Sequence, residues 1–214
     1  MKPVDLAEVV RIALDVMAAH GCHTAILYGS WARGLATPES DVDVLCVREA
    51  GPAFRDARIV DGIYLDAFIY PEADLATPQP ALLRVLGGTV LCEANDFGSA
   101  LLARLQELQD RGPTATPDDE RRAVLLWSSK MLERFRGQRG LEADYRRMQL
   151  LIASLEDYFA LRSAWFRGPK EAFAWLLQHD TPTYQRFERA AQPGASDAAF
   201  AELVHAVYGQ FADV

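Results

Sequence analysis

Three carboxylates stand out by type and spacing: Asp41, Asp43 and Asp66. Asp41 and Asp43 are separated by Val42 and lead into VLCV, an apolar run of strand length. A spacing of two on a strand puts both carboxylates on one face and turns Val42 and Val44 to the other. Two such groups repel unless they are solvated or share a cation. Asp66 interrupts the apolar run IYLDAFIY, where an unpaired charge would be costly. If its strand lies beside the first, three hard oxygen donors converge. That set suits magnesium with phosphate ligands, and so phosphoryl-transfer chemistry. The blander readings are a turn carboxylate for Asp41, a solvated strand residue for Asp43, and an arginine partner such as Arg33 for Asp66.

Upstream, Gly29-Ser30 breaks a short apolar run. A glycine allows close approach of a phosphate, and backbone N–H groups with the Ser30 hydroxyl can meet an anion. Gly34 lets the following loop turn back. The stretch has neither the GxxxxGK[ST] of a P-loop nor the GxGxxG of a dinucleotide fold.

These residues need elements to hold them. Helical periodicity predicts an amphipathic helix over residues 5–20, with Asp5 and Glu8 at capping-box spacing and Gly21 as its stop. Strands are predicted at Thr24–Tyr28, at Val42 to about Val47, and over 58–70, the last as one strand or two segments meeting at Asp61-Gly62. Helical turns at Ala81–Leu86, an edge-like strand at Thr89–Cys92 and a helix at 98–110 complete the first half. RGPTATP (111–117) reads as a boundary, with Thr116 and Pro117 as N-cap and first helical position. Beyond it the pattern is all helix: 118–136, 141–166, Lys170–His179, Thr183–Ala191 and Ala198–Phe211. The expectation is an α+β chain, a mixed β-sheet with flanking helices over 1–112 followed by a helical bundle over 117–214.

Composition narrows the classes. Of 214 residues, half are hydrophobic, and 22 Lys/Arg oppose 30 Asp/Glu. Residues 1–116 hold 9 Lys/Arg and 16 Asp/Glu, so the deficit is concentrated there. A surface that tracks a phosphate backbone is usually basic, so the charge balance disfavours a nucleic-acid partner. Cys22, Cys46 and Cys92 show neither zinc spacing nor a disulfide framework. No apolar stretch approaches a membrane span, and MKPVDLAEVV does not read as a signal peptide; the expected location is the cytoplasm.

The stretch ILYGSWARGLATPESDVDVLCV, with Asp66 on a later strand, resembles the signature of the nucleotidyltransferase superfamily. The matching residues are Gly29, Ser30, Gly34, Ser40, Asp41, Asp43 and Asp66. The resemblance implies a nucleoside triphosphate, ATP by default, bound with Mg2+ and attacked at the α-phosphorus by an acceptor. Asp41 and Asp43 match the metal pair. Asp66 matches the third carboxylate, which assists a metal or deprotonates the acceptor. Gly29 and Ser30 match the phosphate-binding turn, and Arg33 falls within reach of phosphate. The helical half resembles, in architecture, the appended domain of small antibiotic nucleotidyltransferases, which implies a small hydroxylated acceptor. In some such enzymes a helical-domain glutamate is the general base. Glu156 is the choice here, with Glu142 and Glu171 equally defensible. Arg146, Arg147, Arg162 and Arg167 are either surface charges or triphosphate contacts. Two other readings stand beside transfer to a small molecule: a binding or antitoxin-like module, and modification of a protein hydroxyl. The exposed edge of a small sheet also leaves room for a homodimer.

Overall fold

The computed structural model describes residues 5–211. The chain divides into two compact units, Met1–Arg111 and Gly112–Val214.

In the first unit, α1 (Leu6–Ala19) starts where the Asp5 side chain accepts the Glu8 N–H and ends at His20, before Gly21 in the left-handed region. It leads to β1 (Thr24–Tyr28), the four-residue α2 (Gly29–Ala32) and β2 (Val42–Arg48). The 58–70 segment is two strands. β3 (Phe54–Val60) starts earlier than its apolar pattern suggests, and β4 is Ile63–Pro71. Asp61 (φ 52°) and Gly62 (φ 85°) form the two-residue turn between them, with Val60 opposite Ile63. Two positive-φ residues suit the right-handed twist of a tight hairpin. A 3-10 segment (Pro80–Val85), β5 (Thr89–Cys92) and α3 (Phe97–Arg111) follow.

The sheet order is β3-β4-β2-β1-β5. β2 and β4 are parallel neighbours, and every other pairing is antiparallel. β2 is central, so its residues from Val44 to Val47 are all buried. β3 is an outer strand whose Arg55, Asp56 and Arg58 blunt the edge, as charges there commonly do. Val42, Val44, Cys46, Leu65, Ala67 and Ile69 pack with Val9, Ile12, Ala13 and Val16 of α1. Strand alternation puts Asp43, Asp66 and Phe68 on the opposite face.

The second unit holds α4 (Asp118–Phe135), α5 (Leu141–Ala160), α6 (Pro169–His179), α7 (Thr181–Ala190), α8 (Asp197–Tyr208) and a closing 3-10 turn (Gly209–Phe211). Phe135, Leu150, Phe159, Leu176, Phe187 and Leu203 lie in its core. Two expectations are corrected. The 141–166 helix ends at Ala160, because the chain turns through Leu161 and Arg162 into a left-handed Ser163. Thr116 does not cap α4: Pro117 takes that position without a side-chain cap, and the Thr116 hydroxyl donates to the Ala160 carbonyl.

Three of the arginines named above are engaged within this unit. Arg147, 8% exposed, donates to Asp144, to Asp197 and to the carbonyls of Phe135 and Gln138, over the Phe135 ring. Arg162 lies 3.9 Å from the centre of the Tyr158 ring and donates to the carbonyls of Tyr158, Ala206 and Val207. Arg146 pairs with Glu142 at 2.6 Å. Among the described residues no helix is long and apolar enough to cross a membrane.

Candidate active site

β2 and β4 place Asp43 directly beside Asp66 in parallel register. β1 places Tyr28 opposite Asp43 on the other side. The convergence expected of these two carboxylates therefore follows from strand pairing. Asp41 differs from expectation: β2 starts at Val42, and Asp41 lies exposed just before it. Its charge still reaches Asp43. Burial first, then the charges of Asp66 and Asp41, push the Asp43 carboxyl up to about 6, against the pull of Arg33 and Arg84.

Gly29 (φ 73°) closes on this group. A β-carbon built at Gly29 would lie 2.1 Å from Asp43 Oδ2. The glycine expected to admit a phosphate thus first admits a carboxylate. Ser30 is buried on α2, directly after it, and its carbonyl accepts the Leu35 N–H, which folds the loop back through Gly34 (φ 68°). Arg33 is half-buried at the end of α2.

Asp66 does have an arginine partner, but it is Arg55. Arg55 Nε reaches Asp66 Oδ1 at 2.5 Å and Nη2 reaches Oδ2 at 2.9 Å. Register explains the choice: Arg55 on β3 lies opposite Phe68, two residues along β4 from Asp66, whereas Arg33 belongs to α2. Arg84, from the 3-10 segment, lies 4.1 Å from the centre of the Phe68 ring, and Arg55 lies 5.3 Å from it. Tyr28 is buried close to Arg84, Asp43 and Asp66, and burial raises its phenol pKa.

The donor chemistry suits a hard cation. Magnesium takes one or two carboxylates and completes its shell with water and phosphate oxygens, and Asp41 and Asp43 offer such a pair with mutual repulsion to relieve. Among the described residues no three His, Cys, Asp or Glu side chains are already gathered as a metal cage. Asp66 is committed to Arg55 as it stands.

Glu156 is an exposed residue of α5, in the second unit. Its neighbour Asp157 accepts the Tyr208 hydroxyl at 2.6 Å. Of the equally defensible alternatives, Glu142 is held by Arg146, whose hydrogen bond lowers its pKa, and Glu171 lies in the first turn of α6.

Residues 21–85 match the family model of the nucleotidyltransferase domain. That segment carries a nucleotidyltransferase domain. It includes Gly29, Ser30, Asp41, Asp43, Asp66 and also Arg55, Phe68 and Arg84. The match supports nucleotidyl transfer as the general chemistry of this domain. No curated protein matches the chain. A nucleotidyltransferase-like protein from Exiguobacterium sibiricum 255-15 is similar in structure over 96% of this chain and 75% of that one, at 17% identity and a TM-score of 0.41.

Tyr28, Arg55, Phe68 and Arg84 of the nucleotidyltransferase domain are the site residues that sequence reasoning missed. Arg84 left a signal, as the one charge in the apolar run ALLRVL. Arg55 left none, because only the β3–β4 register brings it to Asp66.

Proposed function

We propose that the chain transfers a nucleoside monophosphate from a nucleoside triphosphate, with ATP as the expected donor, to a hydroxyl of a small acceptor. The observation that carries this reading is the side-by-side pairing of Asp43 and Asp66 within the nucleotidyltransferase domain, with Gly29 closed on Asp43. Asp41 and Asp43 would hold Mg2+, with Asp66 as a third donor if it leaves Arg55. Bound there, Mg2+ would neutralise charge on the phosphate oxygens and so favour their transfer.

The remaining roles belong to the chain's own residues. Gly29 and Ser30 form the turn that receives the outer phosphates, with Arg33 nearby. The acceptor oxygen bonds to the α-phosphorus as the bond from that phosphorus to the bridging oxygen breaks, and pyrophosphate leaves. A carboxylate takes the acceptor's proton. Asp66, beside Asp43, is one candidate for that role, as the alternative to its place as a third metal donor and likewise once it leaves Arg55, and Glu156 is the other. The acidity of residues 1–116 favours a cationic acceptor of the aminoglycoside kind by charge complementarity.

The test is a thermal melt with ATP, GTP, CTP and UTP, with and without Mg2+, run on the protein and on an Asp41→Asn/Asp43→Asn double variant. Pyrophosphate release is then measured over a panel of acceptors that includes protein hydroxyls. The expected result is a Mg2+-dependent upshift that the double variant loses, followed by release that depends on an acceptor. A stable protein complex that forms regardless of Asp41 and Asp43, with no release on any acceptor, would instead favour the binding-module reading.

A further inference from the structure

Two arginines share the Phe68 ring, and of the two only Arg55 is held in an ion pair. Arg55 is clamped on both oxygens of Asp66. Among the described residues Arg84 forms no ion pair; it is hydrogen-bonded to the Tyr28 side chain, and its Nε is buried without a hydrogen-bond partner. The Nε groups of Arg48, Arg104, Arg121 and Arg147 are in the same state; what sets Arg84 apart is its place by the carboxylates, where its charge acts on Asp43. The backbone there is firmly seated: Leu82, Leu83 and Val85 of the same 3-10 segment are buried, and Arg84 is only half-buried. The guanidinium carbon lies over the Phe68 ring, 4.1 Å from its centre. Phe68 lies two residues from Asp66 on the same sheet face, so this fixed charge belongs to the Asp43–Asp66 face.

We propose that Arg84 is a phosphate-binding residue of this site, a preset guanidinium that receives the anionic polyphosphate of the nucleotide. The assignment rests on the nucleotidyl-transfer reading and adds to it a residue outside the Gly29-Ser30 turn. A planar guanidinium matches phosphate oxygens two at a time. Contact with the aromatic ring limits the rotamer freedom lost on binding. The charges are compatible. When a cation claims Asp41 and Asp43, those carboxylates no longer oppose Arg84, whose charge then serves the incoming anion. An uncharged nucleoside offers this cation no opposite charge, so the effect should be largest on ligands that carry phosphates.

The experiment is equilibrium binding of ATP, of adenosine and of inorganic pyrophosphate, each with Mg2+, to the full chain and to its Arg84→Gln, Arg84→Lys and Phe68→Leu variants. Thermal melts of each protein are run alongside. Arg84→Gln should weaken ATP and pyrophosphate roughly 10-fold or more, the worth of one lost charge-assisted contact, while adenosine stays within about 2-fold. Arg84→Lys should fall between, since it keeps the charge and loses the planar fork. Phe68→Leu should weaken ATP and pyrophosphate in the same direction. Unchanged ATP and pyrophosphate affinity in folded Arg84→Gln would overturn the assignment. So would equal weakening of adenosine and ATP, which marks a merely structural role. If Arg84→Gln does not fold, Arg84→Lys decides, because full affinity with a lysine there would remove the guanidinium from the argument. If the parent protein binds no nucleotide but binds pyrophosphate through Arg84, the anion site stands and the nucleotidyl-transfer reading falls. If it binds neither, both fall.

Discussion

The Asp43 carboxylate occupies the space in which any side chain at position 29 would begin: a β-carbon there would lie 2.1 Å from Oδ2. The backbone at Gly29 is also in the left-handed region, with φ at 73°. Gly29→Ala therefore meets two obstacles at once. It should destabilise the first unit by more than about 1 kcal/mol, the scale for alanine forced to positive φ, and displace Asp43. A thermal melt and a triphosphate-binding assay on the one variant measure both effects.

Asp43 also gives a stability prediction with a defined sign. Its folded pKa, about 6, lies above that of an ordinary carboxyl. A raised folded pKa means stability that is fully present below the unfolded value, near ~4, and lost as pH rises through about 6. The metal-free protein should thus lose stability across that window, and Asp43→Asn should escape the loss. The variant should melt higher than the parent at pH 8 and no higher at pH 4. Added Mg2+ should stabilise the parent at pH 8 and fail to stabilise the variant.

The two candidate bases can be separated by substitution. If Asp66 takes the acceptor's proton, Asp66→Asn should lower turnover on the order of 100-fold, the usual range for a general base, and Glu156→Gln should leave it within about 2-fold on the same scale. The reverse pattern would move the role to Glu156. Steady-state pyrophosphate release with each variant reads the answer.

In the helical unit the buried Arg147 should be the most sensitive charge. Arg147→Ala strands Asp197 and the carbonyls of Phe135 and Gln138, and should cost about 1–3 kcal/mol. The Asp197 carboxyl is held below its usual range by the Gly137 N–H and by Arg147. A depressed folded pKa means stability present above the unfolded value and lost as pH falls through the folded one. Acid melts of the parent and of Asp197→Asn should therefore draw together as pH falls below ~4 and meet only below the folded value.

Much of this architecture was legible in the sequence because its signals are local. Asp5 and Glu8 at capping distance, the Tyr28-Gly29 break and the Asp61-Gly62 turn each act within a few residues, and the elements follow them. The pairing of Asp43 with Asp66 was legible as chemistry, since neither charge belongs in an apolar strand without a purpose. What stayed hidden depends on register and on tertiary contact. Arg55 meets Asp66 only because β3 and β4 pair as they do. Asp41 stops short of β2, although its alternation with Val42 reads as strand. Helix α5 ends at Ala160 although apolar residues continue to Phe166: the chain turns into a left-handed Ser163, a non-glycine residue whose type does not announce that conformation.

The cysteines carry a practical consequence. Cys22 and Cys46 are buried, and Cys92 is exposed at the end of β5, an outer strand of the sheet. A thiol-reactive dye should accordingly attach at one position in the native protein and at three after denaturation. Because all three thiols precede residue 112, that single label gives the first unit a spectroscopic handle of its own, one that can follow its melting separately from the helical unit.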